Sequence, residues 1–179
     1  MQKLKNDELG RPDLSAYQQI KKLPVILVLD NVRSALNVGS VFRSADAFRI
    51  GAIYLCGITA CPPHKDILKT ALGATASVPW KHFATTIEAI AMLKEEGYQV
   101  FAMEQVRGSI QLETFDPGTR PVAVVFGHEM DGVAQEVINV CDGCLEIAQE
   151  GTKHSLNVSV CAGIVCWEMH RKLQHAHDS

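Results

Sequence analysis

The chain has 179 residues, of which 47% are hydrophobic and 21% charged, and its formal net charge is −3. This is the length of one domain with a sizeable core and the composition of a globular protein, which excludes a disordered chain. The acidic balance excludes a globally basic nucleic-acid binder and leaves any such role to a locally basic face.

No apolar run approaches the roughly 18 residues that span a bilayer. The opening MQKLKNDELGRPD also lacks the apolar block of a signal peptide, so a cytoplasmic protein is expected. Six cysteines are scattered along the chain. Cys141-x-x-Cys144 stands without a second pair or a histidine at zinc spacing, so neither disulfides nor a metal is expected. His170, His175 and His177 near the C-terminus read as solvated.

Residues 1–22 form a charged extension with a helix expected over 13–21, since Leu14, Tyr17, Ile20 and Leu23 share one helical face. Its basic residues Lys3, Lys5, Arg11, Lys21 and Lys22 outnumber Asp7, Glu8 and Asp13. That excess reads as a solvated face or as a faint preference for an anionic partner. The main domain is expected over 23–173, with a tail over 174–179. Pro24 opens VILVLD, a continuous apolar run of the kind found in strands buried on both faces. Residues 31–37 are a polar loop, and Val41, Phe42, Ala45 and Phe48 mark a helix over 38–48. A second buried strand covers 50–56, and 57–65, with two prolines, is a loop. A short helix over 67–72 and a short strand over 77–80 follow. The stretch 85–96 reads as an amphipathic helix with Ile87, Ile90, Ala91, Met92 and Leu93 inward, stopped by Gly97. Strands over 98–103, 121–126 and 144–147 then alternate with a short helix over 133–140 and a closing helix over 156–173. Alternation of this kind predicts an α/β domain with a mostly parallel sheet.

In such sheets ligands bind at the carboxyl ends of strands, and three polar clusters fall there. Asn37-x-Gly39-x-x-x-Arg43 follows the first strand, and Phe126-Gly127-His128-Glu129 follows a later one. The loop 151–157, with Gly151, Lys153, His154, Ser155 and Asn157, follows the last. That loop turns into a small-residue helix, whose first-turn N–H groups Ser155 or Asn157 can cap or leave free for a ligand. Read singly, each cluster is equally what a helix cap or a loop brace looks like.

Together the motifs LDNVRSALNVGSVFRSADAF, VVFGHEMDGV and EIAQEGTKHSLNVSV resemble those of SpoU/TrmH-type RNA 2′-O-methyltransferases of the SPOUT superfamily. The resemblance runs from about Val25 to Glu168. It implies an α/β sheet flanked by helices whose C-terminal segment forms a deep trefoil knot, a topology that general rules disfavour. It also implies a homodimer with its active site at the interface and S-adenosylmethionine as cofactor. The implied cofactor positions are Met103, Glu104, Phe126, Gly127, Ile147, Gln149, Ser155, Leu156 and Asn157, with Gly127 and Gly151 allowing close backbone approach.

The same resemblance implies catalytic positions at Arg43, Asn37, Glu129, Ser155 and Asn157. Arg43 matches the arginine assigned to activating the acceptor hydroxyl. Arginine holds its proton in proteins, so it reads better as a donor that positions the hydroxyl or a phosphate and stabilises the developing alkoxide. Two positions depart from the pattern: His128 stands where asparagine is common, and Ala148 where proline is. RNA, with transfer RNA expected first and ribosomal RNA second, would be held through Arg33, Arg43, Lys65, Lys69, Lys81, Lys153 and His154. The rival expectation is a non-catalytic module that binds S-adenosylmethionine or RNA. An ordinary dinucleotide or P-loop enzyme is disfavoured, because no G-x-G-x-x-G follows a strand and no G-x-x-x-x-G-K-[ST] occurs.

Overall fold

The computed structural model describes residues 2–152 and 155–175. Lys153, His154 and the tail from residue 176, including His177, therefore lie outside the described residues. In chain order the elements are α1 (Leu14–Gln19), β1 (Leu23–Asp30), α2 (Ala35–Ala47), β2 (Ile50–Cys56), α3 (Lys65–Ala71), β3 (Trp80–Phe83) and α4 (Thr86–Glu95). The second half contains β4 (Gln99–Met103), β5 (Ile110–Gln111), β6 (Val122–Phe126), α5 (Gln135–Val140), β7 (Gly143–Glu146) and α6 (Val158–His175).

The strands form one seven-stranded sheet in the order β3-β2-β1-β6-β4-β7-β5, and every pairing is parallel. This is the α/β architecture that the alternating pattern predicts. VILVLD is buried on both faces, as its unbroken apolar run requires. Val25, Leu27 and Leu29 pack with Val38, Val41, Phe42 and Ala45 of α2 and with Ala162, Val165, Cys166 and Met169 of α6. Ile26 and Val28 pack on the opposite face with Ala89, Ile90 and Leu93 of α4 and Val137 of α5. Connections toward β3, through α2 and α3, cross the first face. Those in the other direction, through α4 and α5, cross the second, so these crossovers share one hand.

The differences from the sequence reading have local causes. Helix α2 begins three residues early because Ser34 is its N-cap, accepting the N–H of Asn37; Asn37 thus lies in the first turn rather than in a loop. β3 begins at Trp80 because Val78 is still tied to the carbonyl of Ala74 in a preceding turn. In α4 the capping box of Thr85 and Glu88 starts the helix, and Gly97, at φ 86°, follows its end. Ile87 and Ala91, however, face solvent while Ala89 is buried, a rotation of the inward face. α5 starts at Gln135 because Glu104 Oε2 holds the N–H of Val133. β5 has two residues, too few to show a period. α1 is shorter than expected and has no buried residue; Leu14 is exposed, and Tyr17 docks by donating its hydroxyl to the Asp46 carbonyl. His170 is not solvated but packs its ring 5.6 Å from that of Phe48. Among the described residues, no helix is long and apolar enough to cross a membrane.

Candidate active site

A cavity of about 680 Å³ opens at the carboxyl ends of β4, β6 and β7. Met103 and Glu104 come from the end of β4, Phe126 and Gly127 from β6, Ile147 and Gln149 from the segment after β7, and Ser155, Leu156 and Asn157 from the segment before α6. All nine lie on its wall. His128 and Glu129 of the second motif line it too, and sequence reasoning missed Gln105 and Val106, the turn 130–133, Gln135 and Ile138 of α5, Glu146 of β7, and Val158 and Cys161 of α6. The Asp131-Gly132 pair was a turn signal that could have pointed to the second of these.

The described wall carries Glu104, Glu129, Asp131 and Glu146 and no lysine or arginine. Such a wall favours a ligand with a positive centre over an anionic one. Cys161 is not a nucleophile here, since burial pushes its thiol up to about 12.

Glycine makes the β6 end possible. A Cβ on Gly127 would lie 2.1 Å from the carbonyl carbon of Gly132, and one on Gly132, itself at φ 69°, would lie 2.2 Å from Glu104 Oε2. The close approach at Gly127 is therefore to its own loop. Gly151, by contrast, has open space at its Cβ position and needs no glycine for a close approach. His128 closes this loop by exchanging backbone hydrogen bonds with Gly132, and its Nδ1 accepts the N–H of Met130 and of Asp131. An asparagine carbonyl could accept in the same way, so the first departure has a structural role. Ala148 is exposed.

One hydrogen-bonded line joins the three motifs. Glu129 Oε2 accepts the N–H of Arg33 at 3.1 Å, and its Oε1 accepts the N–H of Ser34 at 3.0 Å and Nδ2 of Asn37 at 3.1 Å. Asn37 Oδ1 accepts Nδ2 of Asn157 at 3.3 Å. Asn157 Oδ1 caps α6 by accepting from the N–H groups of Ser159 and Val160. Burial would raise the pKa of Glu129, but these donors outweigh it and hold the carboxyl below its ordinary 4.5. Asn37, Glu129 and Asn157 thus act as braces, and the line leaves Leu156 outside the helix, on the cavity wall.

Arg43 is not brought to this cavity. It lies exposed on α2 in a separate groove of about 520 Å³ with Ser40, Ser44, Ala47, Phe48, Lys69 and Thr70. Gly39 lets α2 and α3 approach closely there, since its Cβ would meet Thr70 Oγ1 at 2.2 Å and the Ile67 carbonyl at 2.3 Å. Cys141 and Cys144 are free thiols, Cys141 pushed up to about 12 chiefly by burial. No cluster of metal-ligating residues occurs among the described residues.

A parallel α/β domain with its cavity at the strand ends, walled by loops that three motifs brace together, is the architecture of a nucleotide-type cofactor site. The chain belongs to the SpoU rRNA Methylase family, whose model matches residues 24–167. It is similar to the 23S rRNA (guanosine-2′-O-)-methyltransferase RlmB of Vibrio parahaemolyticus, 30% identical over 92% of this chain and 66% of the relative. A putative TrmH family tRNA/rRNA methyltransferase of Staphylococcus saprophyticus is 29% identical over 88% of this chain and 62% of its own length. The chain thus spans somewhat less than two thirds of the length of these relatives. The AdoMet-bound rRNA methyltransferase of Sinorhizobium meliloti superposes with a TM-score of 0.79 at 29% identity, over 88% of this chain and 60% of that one. The A. aeolicus TrmH/SpoU tRNA modifying enzyme shares the fold, with a TM-score of 0.81 at 24% identity over 92% of this chain and 82% of that one.

Proposed function

We propose that the protein transfers a methyl group from S-adenosylmethionine to a ribose 2′-hydroxyl of RNA. The observation that carries this reading is the hydrogen-bonded line Glu129–Asn37–Asn157, which fixes the mouth of an acidic cavity lined by all nine expected cofactor positions. S-adenosylmethionine supplies a methyl already activated on a cationic sulfonium, and the carboxylates of the wall suit that charge. Leu156, Ile147, Val106 and Ile138 offer apolar surface, and the backbone at the ends of β4 and β6 offers groups to read an adenine edge. Ser155 lines the same wall and in this reading contacts the methionine end or the substrate. With that cofactor held by the wall, the methyl carbon would bond to the ribose oxygen as its bond to sulfur broke, the electron pair would stay on sulfur, and the hydroxyl proton would leave to solvent or a neighbouring phosphate. Arg43 serves as the cationic donor to the developing alkoxide.

Because Arg43 lies outside its own chain's cavity, the reading takes the site to be shared between two copies of the chain. The apolar residues Val160, Ile164 and Trp167 support this. They are spaced i, i+4, i+7 on α6 and are 52%, 37% and 53% exposed, and Leu36 is exposed on the neighbouring α2. A stripe of that kind fits a self-complementary interface. The knotted path belongs to the same reading, with residues 147–152 and 155–157 beside the connection from β4 to β6. In support of it, Lys172 of α6 donates to the carbonyls of Leu112 and Glu113 in that connection at 3.0 and 2.8 Å.

The test is incubation with labelled S-adenosylmethionine and either bulk transfer RNA or ribosomal RNA. Label in acid-insoluble RNA is expected, with transfer RNA the first substrate to try. Cofactor binding without transfer to either RNA would leave the non-catalytic reading.

A further inference from the structure

The groove between α2 and α3 has a property that the cavity lacks. Its lining carries two cations, Arg43 and Lys69, and no carboxylate. Neither cation takes part in an ion pair among the described residues. Two of its three hydroxyls are already committed, since Ser40 Oγ and Thr70 Oγ1 both donate to the Leu36 carbonyl, at 3.0 and 2.9 Å. The donors left for a ligand are the Arg43 guanidinium, the Lys69 ammonium and the Ser44 hydroxyl. Ala47 and Phe48 complete the lining. Arg43 and Lys69 thus come from two helices that Gly39 lets approach closely, and they line one groove as cations without a carboxylate partner in it, an arrangement suited to a phosphate and the sugar beside it.

We propose that Lys69 is a positioning residue for RNA, holding the phosphate next to the acceptor ribose in this groove while Arg43 reaches the ribose itself. The proposal rests on the methyltransferase reading for the identity of the anion. Lysine suits the task as a point charge: it fixes the backbone in register and reads no base. Its role is separable from that of Arg43. Loss of Lys69 weakens RNA binding and raises KM, whereas loss of Arg43 removes kcat.

The experiment measures binding of fluorescently labelled bulk transfer RNA by anisotropy across a salt series, with methyl transfer measured in parallel. Lys69→Gln is expected to lower the slope of log affinity against log salt by about 0.7 to 0.9, the contribution of one phosphate contact. It should raise KM several-fold with kcat and S-adenosylmethionine affinity unchanged, and Lys69→Arg should restore the slope. Lys94→Gln, which removes an equal charge from α4 on the other face of the sheet, should leave the slope nearly intact. A Lys69→Gln slope and KM equal to those of Lys94→Gln would overturn the proposal. A wild-type protein that binds RNA with the Lys69-dependent slope but transfers no methyl would instead refute the catalytic reading and leave the phosphate seat standing.

Discussion

Replacing Glu129 by glutamine removes one charge from the centre of the line that joins the three motifs. The carboxylate accepts three N–H donors, from Arg33, Ser34 and Asn37. Glutamine keeps one oxygen, which can still serve Ser34 and Asn37, but turns an amide N–H₂ toward the N–H of Arg33. One charged hydrogen bond is lost and a donor faces a donor. The site is half-exposed, so each of these effects is discounted to about 1 kcal/mol, giving a total of about 2 kcal/mol. For a domain of this size that is a fall in Tm of roughly 4–8 °C.

The pH dependence has a definite sign. The folded carboxyl titrates below its ordinary 4.5, so its contribution is complete above that value and is lost as pH falls through the folded pKa. The stability gap between wild type and Glu129→Gln, measured by urea denaturation, should be full at pH 7 and shrink as the pH falls below 4.5. A gap under about 0.5 kcal/mol at pH 7, or one that does not change on acidification, would refute the brace.

Arg43→Ala should abolish methyl transfer and leave S-adenosylmethionine affinity unchanged by calorimetry; undiminished transfer would remove Arg43 from the chemistry. Leu156→Asp should abolish cofactor binding by placing a carboxylate among the apolar wall groups, and unchanged calorimetric affinity would show the cavity to be misassigned. Mixing those two inactive variants should regain roughly a quarter of wild-type transfer, since only mixed dimers carry one intact shared site; no recovery after subunit exchange counts against the shared site. Gly127→Ala should cost about 2–4 kcal/mol in denaturation, because its Cβ cannot fit beside Gly132 without moving the loop.

The strands were legible in the sequence because their signals are local: VILVLD is apolar without interruption and is buried on both faces. The cofactor wall was legible only through the resemblance of the three motifs, since Ser155-Leu156-Asn157 before a small-residue helix is by itself equally a cap. The braces were not legible in that way. Glu129 bonds residues 92 to 96 positions away and Asn157 bonds Asn37 across 120, distances over which no periodicity speaks. A helix cap was one of the readings open for the Asn37 cluster, and Ser34 holds that place instead. The separation of Arg43 from the cavity was also hidden. Its spacing from Asn37 turns it toward a different side of α2, and only the packing of α3 against Gly39 defines the groove that it shares with Lys69.

The most direct measurement is nucleoside analysis of RNA methylated with labelled S-adenosylmethionine by the purified protein. The label is expected in a 2′-O-methylated nucleoside, and Arg43→Ala is expected to eliminate it. Label on a base, or no label in RNA from a protein that binds the cofactor, would contradict it.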